Sequence, residues 1–403
     1  MMLLAPTLLA LSNNVLVVDD VPGPGVGFTS LQAAVDAAAP GDTVLVREGH
    51  YISTVIDGKG VVLTAELGAT VRLNGRLVVR NVPAGAEVLV RGVAVAPAGF
   101  VSGLFVEDCD GSVWLERVSV DDAYLPAVTF PALEVRDSSD VTLVRSSFLG
   151  NRSFGETIHG GPGGSFQGSN VHVYDTVLRG GDGSASVSGV GLAGPGVQIG
   201  SGRLYASGAT LRGGDGGFTI FCTPVGDGGA GIELGGGSPL VRYLGAGPEG
   251  GAGGMSSTAG CTTVGSVGPD SVIATGELCA DAYAPRSVRL DGPLRSGAPL
   301  TVRVTGEPGD VVLLSVAAPL ASIYFGRKGR RLVGGVWLPD PTADRVVALG
   351  TIDVSGTLQR TFPAPPVVPA LTVHAQAIHF AATSFGEVVF SSPASLTVLD
   401  SSF

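Results

Sequence analysis

Two segments of this chain recur at nearly the same interval. Leu178–Gly183, which reads Leu-Arg-Gly-Gly-Asp-Gly, returns as Leu211–Gly216 33 residues later, and Gly194–Gly200 returns in related form as Gly229–Gly235 35 residues later. Unequal intervals close to one value are typical of stacked coils whose connecting loops differ in length. The repeats predict an all-β fold built as a parallel β-helix, in preference to a β-propeller, because the segments do not group into four-stranded blades.

Short runs of alternating apolar and polar residues predict the strands of these coils over residues 14–276. Asn, Asp, Ser and Gly separate the runs, as expected at turns. We expect strands at Arg76–Arg80, Glu87–Val95, Gly103–Asp108, Ser112–Val120, Ala132–Arg136, Asp140–Phe148, Asn170–Leu178, Gly196–Ile199, Arg203–Leu211, Gly231–Leu234 and Leu240–Leu244.

One short amphipathic helix precedes these strands. Its apolar stripe at helical spacing consists of Leu31, Ala34, Val35 and Ala38. We expect the helix to cover residues 29–39, with Thr29 as the N-cap and Gln32 completing a capping box. A helix placed before a stack of strands would cover the apolar end of the stack and its unpaired strand edges.

The composition excludes two classes of protein. A net charge of −11 with only two lysines, Lys59 and Lys328, argues against nucleic acid as a partner, because phosphate contacts need clustered cations. An apolar content of 44% with 15% charged residues excludes a disordered chain. Of the 63 glycines, 32 lie between Gly160 and Gly254, and we expect them to supply left-handed backbone at coil corners and to form mobile loops.

Residues 1–12 form an apolar run that is too short to span a bilayer. We expect a signal peptide over residues 1–13, with the true start upstream because no positive residues precede the run. A buried first strand is the alternative. No later segment is a transmembrane candidate, so we expect a secreted or cell-surface protein, whose acidity favours solubility there.

The four cysteines lack a Cys-x-x-Cys pair, so no zinc or redox motif is indicated. Export permits disulfides among Cys222, Cys261 and Cys279, and we expect Cys222 to pair with Cys261. Cys109 follows an alternating strand and is expected to be buried as a small apolar residue.

The glycine repeats stop near Glu277–Pro285, and residues 285–403 show ordinary alternation. We expect a small antiparallel β-sandwich there. Its predicted strands include Asp310–Val316, Arg331–Trp337, Arg345–Asp353, Glu387–Phe390 and Ser395–Leu399, with further alternation at Leu300–Val304 and Leu371–Ala377.

Residues 28–51 contain the run Ser-Leu-Gln-Ala-Ala-Val-Asp-Ala-Ala-Ala-Pro-Gly-Asp-Thr-Val-Leu-Val and end in His-Tyr. This segment resembles the entry segment of pectin-lyase-like β-helix proteins, especially pectin methylesterases and secreted bacterial β-helix proteins of unassigned function. The resemblance implies a right-handed parallel β-helix with an N-terminal capping helix. The C-terminal segment around residues 372–377 is similar to terminal β-domains of large exported proteins from planctomycete-type bacteria.

The catalytic motifs of those relatives are missing from this sequence. Ile52 and Ser53 stand where pectin methylesterases have a glutamate, and the Gln-Asp-Thr and Asp-Phe-x-Phe-Gly segments are absent. Against the polygalacturonase motifs this chain offers only Asp121, Asp122 and His159. No motif identifies the calcium-binding cluster of pectate lyases. These three residues are weak candidates for catalysis, because a solvated corner explains the two aspartates better and an exposed polar side chain explains His159 better.

Arg179 and Arg212 lie one repeat apart, each three residues before an aspartate. Stacked coils would place them in one column, which is either a cationic strip for an acidic polysaccharide or a ladder of local ion pairs with Asp182 and Asp215. The Gly-Gly-Asp-Gly pieces also resemble calcium-binding repeats, so Asp182, Asp215 and Asp227 are candidate Ca²⁺ ligands. Their spacing differs from the tandem nine-residue repeat of such sites.

The leading hypothesis is an exported, non-catalytic β-helix protein that acts in surface structure, adhesion or binding of a polysaccharide or cell-surface glycan and requires no cofactor. The first alternative is a polysaccharide-active lyase or hydrolase, and the second is a calcium-stabilised exoprotein. An enzyme should place two carboxylates, or a carboxylate and an arginine, beside exposed aromatic residues in a groove formed by residues 100–240.

Overall fold

The fold is described from a computed structural model of the chain. The described residues are 14–97, 102–121, 124–126, 129–154, 159–183, 191–217, 225–256, 264–281, 283–317, 320–325, 335–339, 345–367, 369–381 and 388–403. No helix among them is long and apolar enough to cross a bilayer. The predicted signal peptide over residues 1–13 lies outside this set.

Parallel strands stack into a β-helix with three faces. The first face is a ten-stranded sheet of Val15–Val18, Thr43–Val46, Val62–Ala65, Glu87–Arg91, Ser112–Glu116, Asp140–Val144, Ser169–Tyr174, Gly202–Ser207, Leu240–Leu244 and Glu277–Asp281. Each strand pairs in parallel with the equivalent strand of the next coil. The predicted all-β, parallel β-helix class is confirmed.

The other two faces are arms of one thirteen-stranded sheet, joined by the long strand Val71–Arg80, which also pairs with Gly49–Asp57. The second face consists of Val93–Ala96, Ser119–Val120, Ser147–Leu149, Val177–Arg179 and Thr210–Arg212. The third face consists of Leu104–Glu107, Leu133–Arg136, Gly164–Gln167, Val197–Ile199, Ile232–Leu234 and Ser271–Ile273. Beside the coils, Tyr124–Pro126 pairs with Arg152–Phe154.

The coil interior is filled by apolar side chains that stack in register. Leu104 lies over Leu133, and Val106 lies over Val135 and then Phe166. All five are buried in one continuous core. Because parallel strands place equivalent residues directly above one another, each coil adds another layer to the same apolar column.

Five of the predicted strands were wrong in one respect, because each consists of two strands on different faces. A residue with positive φ turns the chain from the first face to the second in each coil: Gly92, Arg117, Arg145, Asp175 and Gly208. An apolar alternation continues through these corners, and three of them are not glycine, so the sequence pattern does not mark the bend.

The N-terminal helix spans Leu31–Ala37, and Ser30 caps it, since the Ser30 Oγ accepts a hydrogen bond from the Ala33 N–H. The prediction of Thr29 as the cap was wrong by one residue. Gln32 does not close a capping box. Its amide group instead bonds both the N–H and the carbonyl of Val55, at 2.7 and 3.0 Å, and so replaces a missing strand partner. The predicted apolar stripe is confirmed as buried.

The C-terminal part is the predicted sandwich. One sheet contains Ser287–Leu290, Pro299–Thr305 and Thr357–Pro363, and the other contains Leu294–Arg295, Ala394–Leu399, Ala370–Phe380, Val311–Ala317, Arg345–Thr351 and Val388–Phe390. Leu320–Phe325 pairs with Gly335–Pro339. All these pairings are antiparallel except that of Leu294–Arg295 with Ala394–Leu399.

The sandwich packs against the first face of the β-helix through buried polar contacts. Arg91 donates to the carbonyls of Ser395 and Leu290 at 2.9 and 3.0 Å. Glu116, fully buried, pairs with Arg91 and accepts a hydrogen bond from the Ser395 N–H at 3.0 Å. The Trp114 ring lies 4.7 Å from the ring of His374. The first face is therefore occupied by the sandwich, which leaves the second and third faces for other contacts.

Candidate functional site

Extended excursions leave the coil after the second face and return at the start of the third face. Their described parts are seven glycine-rich runs, 160–163, 180–183, 191–196, 213–217, 226–231, 249–254 and 264–269, which we call the glycine layer. The interval between equivalent third-face residues grows from 27 residues (Leu77 to Leu104) to 39 (Ile232 to Ser271). Each excursion is thus longer than the one below it.

Backbone hydrogen bonds connect the runs of the glycine layer into one structure. Each of the following N–H groups donates to the carbonyl of the residue named after it, at 2.8 to 2.9 Å: Gly181 to Gly161, Gly194 to Gly181, Gly214 to Gly194, Gly229 to Gly214, Gly251 to Gly229 and Gly268 to Gly251. Glycines three residues apart, such as Gly180 and Gly183, match an extended helix with three residues per turn.

Close approach of backbones explains the glycines. A Cβ atom added at Gly181 would lie 2.0 Å from the carbonyl oxygen of Asn151, and one at Gly214 would lie 2.1 Å from that of Gly181. Neither glycine has a positive φ. The expectation of left-handed backbone was therefore wrong for these two glycines, which instead permit backbone-to-backbone packing with satisfied hydrogen bonds. The mobility of the loops stays a prediction. Other glycines of the stretch do have positive φ, namely Gly168, Gly202, Gly208, Gly236 and Gly245.

The predicted column of arginines lies at the edge of the glycine layer. Arg179 and Arg212 are register partners on the second face. Arg179 forms ion pairs with Asp182 at 2.6 Å and with Asp215 of the next coil at 3.0 Å, and Arg212 pairs with Asp215 at 2.8 Å. The geometry matches the ion-pair ladder, one of the two interpretations of these residues, and leaves glycan binding there a prediction.

Backbone donors occupy the carboxylates that the sequence suggested for calcium. The Asp215 N–H donates to Asp182 at 2.9 Å, the Ala252 N–H donates to Asp215, and the Ser266 N–H donates to Asp227 at 2.7 Å. Within the described ranges, no group of three or more acidic, histidine or cysteine side chains has metal-binding geometry. Ca²⁺ binding stays a prediction.

The remaining candidates do not come together. Asp121 forms an exposed ion pair with Arg72 at 3.2 Å, and Asp122 lies outside the described residues. His159 is exposed, and its carbonyl accepts a hydrogen bond from the Thr129 hydroxyl. Among the described residues, neither Asp121 nor His159 has a partner for proton transfer, and the role of Asp122 stays a prediction.

The predicted disulfide between Cys222 and Cys261 lies outside the described residues and stays a prediction. Cys109 is buried, as expected, and Cys279 is a free thiol.

The outer surface of the third face carries a row of polar side chains that sequence reasoning missed. Register pairs place five residues of consecutive coils in this row, which we call the third-face strip: Phe105, Glu134, Ser165, Gln198 and Glu233. A second outward row, two residues further along the strands, contains Glu107, Arg136 and Gln167. None of these residues is fully buried.

Charged groups surround the single aromatic ring of the strip. The guanidinium carbons of Arg76 and Arg136 lie 4.6 and 5.5 Å from the centroid of the Phe105 ring, within cation–π range. Glu134 pairs with Arg136 and accepts a hydrogen bond from the Ser102 hydroxyl at 3.2 Å. These contacts fix the side chains at the N-terminal end of the strip.

The carboxyl groups of the strip are poorly placed for glycoside hydrolysis. Burial raises the pKa of Glu233, as a catalytic acid requires. Glu134 is three coils away, about 14 Å at the usual strand spacing, whereas paired catalytic carboxyls are about 5 to 9.5 Å apart. Glu134 is also paired with Arg136. Glu134 and Glu233 therefore do not form the carboxyl pair that glycoside hydrolysis requires.

The alternation of inward and outward residues along each strand could have revealed this strip from the sequence. Residues two apart on a strand share a face, so once Leu104 and Val106 are assigned to the core, Phe105 and Glu107 must point outward. What the sequence lacked was the register between coils, because the excursions vary in length.

The sequence matches no family model and no curated protein. Among solved structures, the chain is similar to ORF18 of Geobacillus virus E2, with 11% identity, 88% of this chain and 79% of that chain covered, and a TM-score of 0.22. It is also similar to the enzymatically active domain of tailspike protein 2 of bacteriophage CBA120, with 10% identity, 89% and 72% covered, and a TM-score of 0.21. Similarity at this level carries no functional argument.

Proposed function

We propose that this is an exported, non-catalytic β-helix protein that binds a linear surface glycan along the third-face strip. The observation that carries the proposal is the register of Phe105, Glu134, Ser165, Gln198 and Glu233 on five consecutive coils. Successive coils are about 4.8 Å apart, which is close to the length of one sugar ring in a linear chain. Each coil can therefore offer a hydrogen-bonding side chain to one sugar.

The side chains of the strip suit a polyhydroxylated ligand. The Gln198 amide donates and accepts hydrogen bonds, and Glu233 accepts them from hydroxyl groups. Arg76 and Arg136, which stack on the Phe105 ring, supply charged hydrogen-bond donors at one end. The glycine layer adjoins the strip, because Gly163, Gly196 and Gly231 directly precede or begin the third-face strands.

The proposal predicts that Gln198→Ala combined with Ser165→Ala weakens binding at least tenfold, as expected for two lost hydrogen bonds to a ligand. The measurement is binding to an array of polysaccharides and cell-surface glycans. Gln359→Ala, at an exposed glutamine of the sandwich, is the matched control and should bind normally. Equal binding by the double variant and the wild type would overturn the strip as the site.

Catalysis is tested on the same polysaccharides by measuring the release of reducing ends over time. A non-catalytic binding protein releases none. Release that disappears in Glu233→Gln would instead support the polysaccharide-active enzyme.

A further inference from the structure

A cleft of about 500 Å³ lies where the corner between the first and second faces meets the sandwich. From the β-helix it is lined by Arg117, Val118, Ser119, Arg145, Ser146, Ser147 and Asp175, and from the sandwich by Arg289, Asp291, Thr301 and Arg303. Its volume is typical of a pocket for a small ligand. None of these residues belongs to the third-face strip.

The lining concentrates positive charge in an acidic protein. Four arginines meet two aspartates there, although the whole chain has a net charge of −11. Asp291 is engaged by Arg117 at 2.6 Å. Asp175 accepts a hydrogen bond from the Ser392 hydroxyl at 2.7 Å, and burial raises the pKa of this carboxyl. Asp175 also attracts Arg289, but with two aspartates against four arginines the lining keeps an excess of positive charge.

Arg289 and Arg303 form that wall. They are directly opposite each other on adjacent antiparallel strands, and like charges in this position destabilise a sheet. Both are exposed, and within the described part of the chain neither has a carboxylate at ion-pair distance, although Arg303 donates a hydrogen bond to the neutral Gln359 side chain at 3.2 Å. A bound anion would convert this repulsion into two favourable contacts.

Arg145 lies on the opposite wall and is almost completely buried, with 8% of its side chain exposed. It pairs with Glu116 and donates to the Val288 carbonyl at 3.1 Å. Its Nε is buried and has no hydrogen-bond partner among the described residues. A buried donor without a partner is costly and suggests that an acceptor belongs near it.

We infer that this cleft binds a sugar that carries an oxyanion, either a carboxylate or a sulfate. Arg289 and Arg303 would bind the anion, because guanidinium groups recognise planar and tetrahedral oxyanions through paired N–H donors. Hydroxyl groups of Ser119, Ser147 and Thr301 line the same cleft and match the hydroxyl groups of a sugar ring. The volume accommodates one or two rings. This site is independent of the third-face strip.

The test is isothermal titration of the full chain with glucuronate, glucose 6-sulfate, glucose and inorganic sulfate. We expect binding of one or both sugar anions, weakening with added salt, and none of glucose. Equal affinity for inorganic sulfate would overturn the assignment of a sugar, and no binding of any anion would overturn the site.

Arg289→Gln combined with Arg303→Gln should weaken binding of the sugar anion at least tenfold. The melting temperature without ligand should stay the same or rise, because cross-strand repulsion is removed. A structural role alone would lower it. Arg203→Gln, at an exposed arginine outside the cleft, is the control and should bind normally. Unchanged binding in Arg289→Gln/Arg303→Gln overturns the proposal, and strip variants such as Gln198→Ala should leave glucuronate binding unaffected.

Discussion

The coil interior and the glycine layer are built from the same stacked repeats but pack by opposite means. Inside the coils, register partners such as Leu115, Leu143 and Val173 bring large apolar side chains together. In the glycine layer, register partners bring only backbone together, as where Gly214 meets Gly181. The interior is stabilised mainly by burial of apolar surface, and the layer by satisfied backbone hydrogen bonds and close contact.

The difference predicts different tolerance to substitution. A side chain in the coil interior can be exchanged for another of similar volume, because neighbouring side chains adjust. A glycine between two backbones has no side chain to exchange, and the neighbouring atoms are parts of hydrogen-bonded runs that cannot move separately. We therefore expect the largest effects of small changes in the glycine layer.

The strongest test of this comparison is Gly214→Ala. The new Cβ would lie 2.1 Å from the carbonyl oxygen of Gly181, so the runs must separate and lose their hydrogen bonds. We expect a loss of more than about 4 kcal/mol in the free energy of unfolding, beyond the usual cost of overpacking. Urea unfolding measures it.

Gly235→Ala is the matched control. Gly235 lies in the same coil but outside the glycine layer, has no atom within 4 Å of an added Cβ and has no positive φ. Its replacement should change stability by less than about 0.5 kcal/mol. Equal small effects at Gly214 and Gly235 would contradict close packing of the glycine layer.

The coil interior is tested by Leu143→Ala. Leu143 is fully buried, and its truncation leaves a cavity that stacked neighbours fill only in part, so we expect a loss of about 3 to 4 kcal/mol. Leu143→Met keeps the volume and should cost less than about 1.5 kcal/mol. If Leu143→Met were as damaging as Leu143→Ala, the interior would be as intolerant as the glycine layer, and the distinction would fail.

Much of the β-helix was predictable because the apolar residues of its core alternate along each strand, and this alternation is visible in short stretches of sequence. The repeat containing Leu178 and Leu211 gave the register of two coils, which the pairing of the second face confirms. The corners were not predictable at Arg117, Arg145 and Asp175. Left-handed backbone at these residues is imposed by the neighbouring coils, and the sequence carries no glycine to mark it.

The candidate sites were less predictable because they depend on contacts distant in sequence. The glycines drew attention to residues 160–254, but their number is explained equally well by loops and by packed backbone. The third-face strip needs the register between Glu134 and Glu233 across coils of unequal length. The cleft needs the docking of the sandwich, which brings Arg145 within reach of Val288, 143 residues away.

The contact between the first face and the sandwich is a third kind of packing, in which buried charged groups pair with one another. The dependence of stability on pH tests this contact. Burial raises the pKa of Glu116, but Arg91, Arg145 and Ser395 lower it more, to about 2 from a usual 4.5. A carboxyl with a lowered folded-state pKa stabilises the fold fully above about pH 4.5, and this stability is lost as pH falls through the folded value. We expect about 3 kcal/mol to be lost between these limits, because one pKa unit corresponds to about 1.4 kcal/mol.

The measurement is urea unfolding from pH 7 to pH 2.5 for the wild type and Glu116→Gln. The variant leaves two buried arginines without their counter-charge, so it should be less stable at pH 7. The difference between the two proteins should shrink as pH falls. A difference that is constant with pH would show that Glu116 does not titrate as proposed.

The smallest expected effect lies at the edge of the glycine layer, where charges rather than backbone join the coils. Arg212 is 37% exposed, and its one ion pair among the described residues is with Asp215 of its own coil, so Arg212→Gln should cost about 0.5 kcal/mol. Arg179 is 24% exposed and bridges two coils through Asp182 and Asp215, so Arg179→Gln should cost more, though still about 1 kcal/mol. Both losses should shrink in high salt. If instead EDTA lowered the melting temperature and abolished the difference between the variants, Asp182 and Asp215 would be calcium ligands, because an ion-pair ladder between fixed runs of backbone needs no metal to hold it.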